Sequence, residues 1–327
     1  MNRHGEGVRG FRIARAAAAL TVAGLAIGST PAGAAWQPSK PVEFIVMGGP
    51  GGGSDQLAQF ISAMVEKHKL APVPLIPINK GGGGGALAMD HVRGEQGNSH
   101  MIMIAHAPLF MLPITQKLPF NYKNFTPISL FALDNFFLWV HKDSPWKTVK
   151  EFVTEAQKRS ITAGGSGSKR EEQVILAFLE QRAGLKPFKY VPFRGGGETA
   201  GALVGKHVEA TANQPAEALP HYPDKLRMLA TFAAERHKGF PDLPTMKELG
   251  YDVSYRMMRG ILGPPGMPAE ARDYYAGLMR KVYDLKEFQD HLYKGVLDPQ
   301  FMSGDEFARW IADQHTLHDQ IIKKAGW

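Results

Sequence analysis

The chain has 327 residues, 44% of them hydrophobic, with a formal net charge of +7 and no cysteine. Zero cysteines excludes disulfides and thiol catalysis and removes the usual ligands of a structural zinc site, so no metal or cofactor is expected. The basic excess is too modest and dispersed for a nucleic-acid surface, and no nucleic-acid partner is expected.

Residues 1–34 read as a targeting segment. Arg3, Arg9, Arg12 and Arg15 form a basic start, residues 17–29 an apolar stretch, and Ala32-Gly33-Ala34 a small-residue cleavage site. The apolar stretch is shorter than the roughly 20 residues of a transmembrane helix. The expectation is export to the periplasm with cleavage near Ala34. That removal takes four arginines and Glu6, nearly half of the basic excess. The remaining length suits two domains.

Beyond the leader, strand and helix patterns alternate. PVEFIVM (41–47) predicts a strand, and Asp55 to about Lys67 a helix with Leu57, Phe60, Ile61 and Met64 at helical spacing. Strands at 74–79 and 100–106 flank a short helix over 86–94. A strand at 136–141 precedes a helix from Trp146 to Lys158, for which Ser144-Pro145 is the start signal. A strand at 161–165, a helix from Glu171 to about Ala183, a strand at 188–193, a helix at 198–206 and strands at 207–213 and 225–232 continue the rhythm. The C-terminus predicts helices over 269–285, 286–293 and 304 to about 324. Such alternation means an α/β protein with mostly parallel sheets. With no long linker, two domains must share crossover segments and enclose a central cleft.

Four glycine clusters each follow a strand and precede a helix: GGPGGGSD (48–55), GGGGG (81–85), GGSGS (164–168) and RGGG (194–197). In open α/β sheets ligands sit at the carboxyl ends of strands, and glycines there let backbone N–H groups approach an anion. The first loop places Gly51, Gly52 and Gly53 before Ser54 and Asp55. Ser54 either donates to a ligand carboxylate or caps the helix, and Asp55 orders the loop unless the ligand brings a donor. Ser166, Gly167 and Ser168 face the same choice. Lys169 and Arg170 open the next helix, where cations oppose the helix dipole unless an anion lies nearby. His106, after a strand, reaches the cleft or is a satisfied loop histidine. Phe136 and Phe137 read as core, or as packing for an apolar ligand, and Arg194 and Arg259 are candidates for a second anionic group.

Enzyme motifs are weak. No G-x-x-x-x-G-K-[ST] loop occurs, and Ser166-Gly167-Ser168-Lys169 lacks the partner motifs of penicillin-binding enzymes. An exported hydrolase using Ser166 remains the competing class.

The order of the segments PVEFIVMGGPGGGSDQLAQF, NKGGGGGALAMDHV, LPFNYKNFTPISL, SPWKTVKEFV, GGSGS, YVPFRGGGETAGALVGKHVEA, RHKGFPDLPTMKELGYDV and LGPPGMPAEARDYY resembles the periplasmic solute-binding receptors of tripartite tricarboxylate transporters, the TctC or Bug family. The likeness covers essentially the whole chain after the leader. It implies a two-lobed Venus-flytrap fold, with lobe 1 made of 35–134 and 255–327 and lobe 2 of 135–254. It implies a monomer that captures a small organic carboxylate (a di- or tricarboxylate, or an aromatic or aliphatic acid) for a membrane permease. A receptor feeding a sensor is the alternative within the family. The loops matching 50–55 and 164–168 would supply donors to carboxylates, and Ala105, His106 and Asn213 occupy positions that line the cleft. Lys169-Arg170-Glu171 and RMMRG (256–260) depart from the family pattern.

Overall fold

The computed structural model describes residues 35–50 and 52–327; the leader and Gly51 lie outside the described residues. In the first part of the chain, β1 (Val42–Val46), α1 (Gly53–Lys67), β2 (Leu75–Asn79), α2 (Ala86–Gly94), β3 (Met101–Ala105), α3 (Pro108–Thr115) and β4 (Thr126–Asp134) follow in order. The middle holds β5 (Phe137–His141), α4 (Val149–Lys158), β6 (Thr162–Ser166), α5 (Glu171–Ala183), β7 (Lys189–Phe193), α6 (Gly196–Val204), β8 (Ala210–Asn213), α7 (Pro215–Ala218) and β9 (Leu226–Thr231). The chain then runs through β10 (Met257–Gly263), α8 (Ala269–Tyr283), α9 (Lys286–Lys294), β11 (Leu297–Ser303) and α10 (Gly304–Lys324).

Two sheets result, one ordered β11-β4-β10-β3-β1-β2 and the other β7-β6-β8-β5-β9. The α/β class and two-sheet plan match expectation, but the sheets are mixed, not mostly parallel. β1 pairs in parallel with β2 and β3, and β6 with β7 and β8. β10 is antiparallel to β3 and β4, β11 to β4, and β5 to β8 and β9. Only Asn135 and Phe136 separate β4, in the first sheet, from β5, in the second. Every antiparallel pairing involves β4, β5 or β10, the strands that carry the chain between the sheets.

Both sheets are covered on both faces. Phe44, Val46, Ile102 and Phe131 pack with Tyr275 and Phe288 on one side of the first sheet, and Ile45, Met103 and Leu130 with Phe110 and Phe307 on the other. In the second sheet Leu138 and Val140 meet Phe152 and Ile175, whereas Phe137 and Trp139 face Leu203. The cluster around Leu138 also takes in Ala107 and Met111 near α3 and Ile321 and Ile322 of α10. One apolar core thus spans both sheets, and burial on this scale is the main force holding them together.

Local signals place most helix ends. Thr148 and Glu151 form a reciprocal capping box, so α4 starts at Val149, after the expected Trp146. Helix α3 (PLFMLPIT) shows no polar face because residues 108–113 are all buried, so periodicity does not reveal it.

Where the chain changes sheets, Phe136 packs edge-on against Tyr255 with ring centroids 5.7 Å apart. The Tyr255 hydroxyl donates to His318 Nε2 of α10 at 2.8 Å, and His318 Nδ1 donates to the Gln314 carbonyl at 2.7 Å. Burial disfavours the imidazolium and pulls His318 down to about 4. Its folded value lies below the unfolded one, so its contribution is complete above about pH 6.5 and is lost as pH falls toward 4. The melting temperature should therefore drop over that window more steeply for the wild type than for His318→Gln. Equal slopes in a pH series of thermal melts would contradict this assignment.

Candidate functional site

The carboxyl ends of the parallel strands meet at one place. The segments after β1, β2, β3, β6, β7 and β8, with β10 alongside, line a cavity of about 420 Å³ between the two sheets. This is the position at which open α/β sheets bind ligands.

One wall is built on the first turn of α1. Its N-cap, Gly52, is extended (φ −71°, ψ 162°) and offers no side chain to the helix N–H groups, which leaves uncapped donors at the positive end of the helix dipole. Ser54 and Asp55 are buried there, and Asn79 donates to Asp55 Oδ1 at 3.1 Å. Behind the turn Arg259 makes a bidentate pair with Asp134, Nε to Oδ1 at 3.0 Å and Nη2 to Oδ2 at 2.6 Å. Arg259 Nη1 donates to Ser54 Oγ at 2.9 Å, so the Ser54 proton is not used on this partner. Gln214, after β8, also donates to Asp134 Oδ2. The roof of this wall is the run Gly82–Gly85, with φ of 109°, 57°, 70° and 115°. Four successive left-handed residues explain a glycine run there, because side chains oppose that conformation.

The opposite wall carries acids. β6 contains Gly164 and Gly165, and a Cβ on Gly165 would lie 2.3 Å from the Tyr190 hydroxyl and 2.6 Å from Glu172 Cβ. Glycine at 165 is thus set by the close packing of Tyr190 and Glu172. The Tyr190 hydroxyl donates to the Gly167 carbonyl at 2.9 Å and holds the turn. Ser166 Oγ donates its proton to Glu172 Oε1 at 2.6 Å, which gives the serine a carboxylate partner and no histidine. Arg170 Nε pairs with Glu171 Oε2 at 3.2 Å. Glu171 Oε1 lies 3.7 Å from His106 Nδ1 of the first wall, beyond hydrogen-bond length. His106 Nε2 is 3.3 Å from the Met47 carbonyl, an acceptor that requires the ring proton on Nε2. Burial, with the charge of Glu171, pushes Glu172 up to about 7. Burial also drives Glu217, behind this wall, up to about 8, with Glu172 and Asp134 adding to the shift.

Of the residues singled out in the sequence, Gly52, Gly53, Ser54, Asp55, His106, Phe136, Ser166, Arg170, Arg194 and Arg259 line this cavity. Ala105, Gly167, Ser168, Lys169 and Asn213 do not line it, and Gly51 lies outside the described residues. Ala105 is buried within β3. Ser168 is exposed, and the Lys169 amide donates to Gln173 Oε1. Asn213 Nδ2 donates to the Gly196 carbonyl at 2.9 Å and so ties β8 to the start of α6. Sequence reasoning did not single out Glu172, Gln214 or Met257, which also line the cavity. Acids in the first turn of a helix are commonplace surface features; the signal available for Glu172 was the glycine pair that makes room for it.

A family profile described as the tripartite tricarboxylate transporter family receptor matches residues 59–327. A Cupriavidus necator protein named "UPF0065 protein in gbd 5'region" is 29% identical over 319 residues, 96% of this chain and 97% of that one. Among solved structures, a TctC solute-binding protein from Polaromonas, without ligand, superposes with a TM-score of 0.77 at 29% identity, covering 88% of this chain and 99% of its own. An R. palustris protein solved with adipate gives 0.76 at 20% identity, covering 88% and 98%.

The buried pair makes a stability prediction. Asp134→Ala leaves the Arg259 guanidinium buried without its partner and should cost about 3–5 kcal/mol. Replacing both residues with apolar ones of similar volume (Asp134→Leu with Arg259→Met) should cost less than Asp134→Ala alone. Denaturant unfolding measures both, and a more damaging double variant would contradict the assignment.

Proposed function

The chain belongs to the tripartite tricarboxylate transporter family of receptors, and on that premise we propose that it captures a small organic carboxylate in the periplasm and delivers it to a membrane permease. The family is one of solute-binding receptors, not enzymes. The observation that carries the carboxylate reading is the α1 terminus: uncapped N–H donors, facing the cavity, with the Ser54 hydroxyl beside them and the Arg259 guanidinium behind. Amides at a helix start, backed by a cation, are an anion site. A volume of about 420 Å³ suits a small organic ion. The adipate bound by the R. palustris neighbour is of that class.

Ser54, with the amides of Gly53 and Ser54, is assigned to one carboxylate group. Arg194, an exposed guanidinium at the rim with no ion pair among the described residues, is assigned to a second. Arg259 acts through the turn it supports, since its nitrogens are committed to Asp134 and Ser54. We place the lobe boundaries at 134/135 and 254/255, where the chain changes sheets. Closure of the lobes stabilises the bound state by its differential affinity for the ligand, and the closed face is what a permease recognises. No helix among the described residues is long and apolar enough to cross a membrane.

Isothermal titration of ligand-free protein against mono- and dicarboxylates, sugars and amines tests this reading. At least one carboxylate should bind, and Arg194→Ala should weaken a dicarboxylate about tenfold, the value of one charge-assisted hydrogen bond. Binding of sugars or simple amines while every carboxylate is ignored would overturn it.

A further inference from the structure

Of the two acids that open α5, one is matched by a cation and one is not. Glu171 Oε2 pairs with Arg170 at 3.2 Å. Glu172, only 3% exposed, has no ion pair among the described residues. Ser166 Oγ donates to Glu172 Oε1 at 2.6 Å, whereas Oε2 is buried without a hydrogen-bond partner among them. Ser166 is half-buried and lines the cavity. The serine hydroxyl thus links a buried carboxyl group to the cavity wall.

The direction of that bond depends on where one proton sits. An ionised Glu172 can only accept, and the serine proton is then committed to it. In the neutral acid a proton on Oε2 would be buried with no acceptor. A proton on Oε1 avoids that cost by donating to Ser166 Oγ. The bond then reverses: Ser166 Oγ accepts from Glu172, and its own proton is released for an acceptor in the cavity. Toward a guest the same serine is an acceptor in one state and a donor in the other.

We propose that Glu172 is a positioning residue that sets the donor state of Ser166, and that capture of an anionic guest takes up one proton from solvent onto Glu172. This inference rests on the carboxylate reading above and concerns how the guest is held, whatever acid it is. Beside an ionised Glu172 a carboxylate meets a like charge and a serine lone pair. Beside the neutral acid it meets an O–H donor and no added charge. Asp134 and Glu171 already balance Arg259 and Arg170, so neither guanidinium is left to offset the charge of Glu172.

Glu172 is faced by Glu171 and Arg170 at the start of α5, Ser166 on β6, Tyr190 on β7, Glu217 on α7, Tyr255 before β10 and His106 across the cavity. Burial and the charge of Glu171 push its carboxyl up to about 7, so both protonation states are populated near neutrality. A bound carboxylate raises it further. Proton uptake on binding is therefore largest between about pH 7 and 8, and affinity falls as pH rises through that window. Well below 7 the free protein is already protonated, uptake vanishes and affinity levels off. Glu217, pushed up to about 8, titrates nearby, and Glu172→Gln separates the two.

The test is calorimetry at about pH 6, 7.5 and 8.5 in buffers of different ionisation enthalpy, which counts protons. The probes are the mono- and dicarboxylates of the panel above, with succinate, glutarate, adipate, malate and benzoate among them. Any that binds should take up about half to one proton near pH 7.5 and weaken about tenfold from pH 6 to 8.5. Glu172→Gln, whose amide donates to Ser166 in place of the neutral acid, should abolish both effects. At pH 8.5 it should bind about tenfold more tightly than the wild type. Ser166→Ala, which removes the switched group, should lose more affinity at pH 6 than at pH 8.5. A carboxylate that binds without proton uptake, or a Glu172→Gln variant that keeps the pH dependence, overturns the inference while the carboxylate reading stands. An equal loss at both pH values in Ser166→Ala overturns the role of the serine and the inference with it. Should no carboxylate bind, both readings fall.

Discussion

The bidentate contact between Arg259 and Asp134 is the interaction on which the rest of the site depends. Asp134 ends β4, where the chain leaves the first sheet, and Arg259 lies on β10, by which it returns. The pair also reaches Ser54 at the start of α1 and Gln214 after β8. Four segments, from both sheets, are thereby fixed to one another at the floor of the cavity. A buried ion pair contributes little net stability once desolvation is counted, so its value lies in what it positions. Here it holds the first turn of α1 with donors outward and keeps a guanidinium behind them.

Around that fixed point the two walls differ in chemistry. The first offers donors, from an uncapped helix start and a serine whose oxygen already accepts from Arg259. The second offers acceptors, because Ser166 gives its proton to Glu172 and the start of α5 brings two buried carboxyl groups inward. The asymmetry follows from packing: Gly165 gives way to Tyr190 and Glu172, and Tyr190 then clamps the turn through the Gly167 carbonyl. The shared core at Phe136, Tyr255 and His318 holds the crossing segments on the far side of the same junction.

Much of this architecture is legible in the sequence where the determinants are local. Helices α2 and α5 start and stop where periodicity and the neighbouring glycines indicate, and the loops that follow β1 and β3 contribute to the cavity. The determinants that escape are non-local. β4 and β10 are adjacent interior strands of the first sheet, yet their apolar runs lack a period that separates them from loops or buried helix. The antiparallel pairings fall on the strands that carry the chain between the sheets, which no strand pattern announces. Arg259 reads in isolation as a ligand contact, but its partner lies 125 residues earlier in the chain. Gly165 reads as a loop glycine for ligand approach, whereas the space it frees is filled by Tyr190 and Glu172.

The central claim is that one guest is held by donors at the start of α1 and by groups on the facing wall. A crystal structure of the protein with its native ligand, retained through purification and identified by mass spectrometry, tests it most directly. The account predicts a carboxylate oxygen within hydrogen-bond distance of the amides of Gly53 and Ser54, with the rest of the molecule reaching the facing wall or Arg194. A ligand seated elsewhere, or one with no negatively charged group at the α1 terminus, would contradict it.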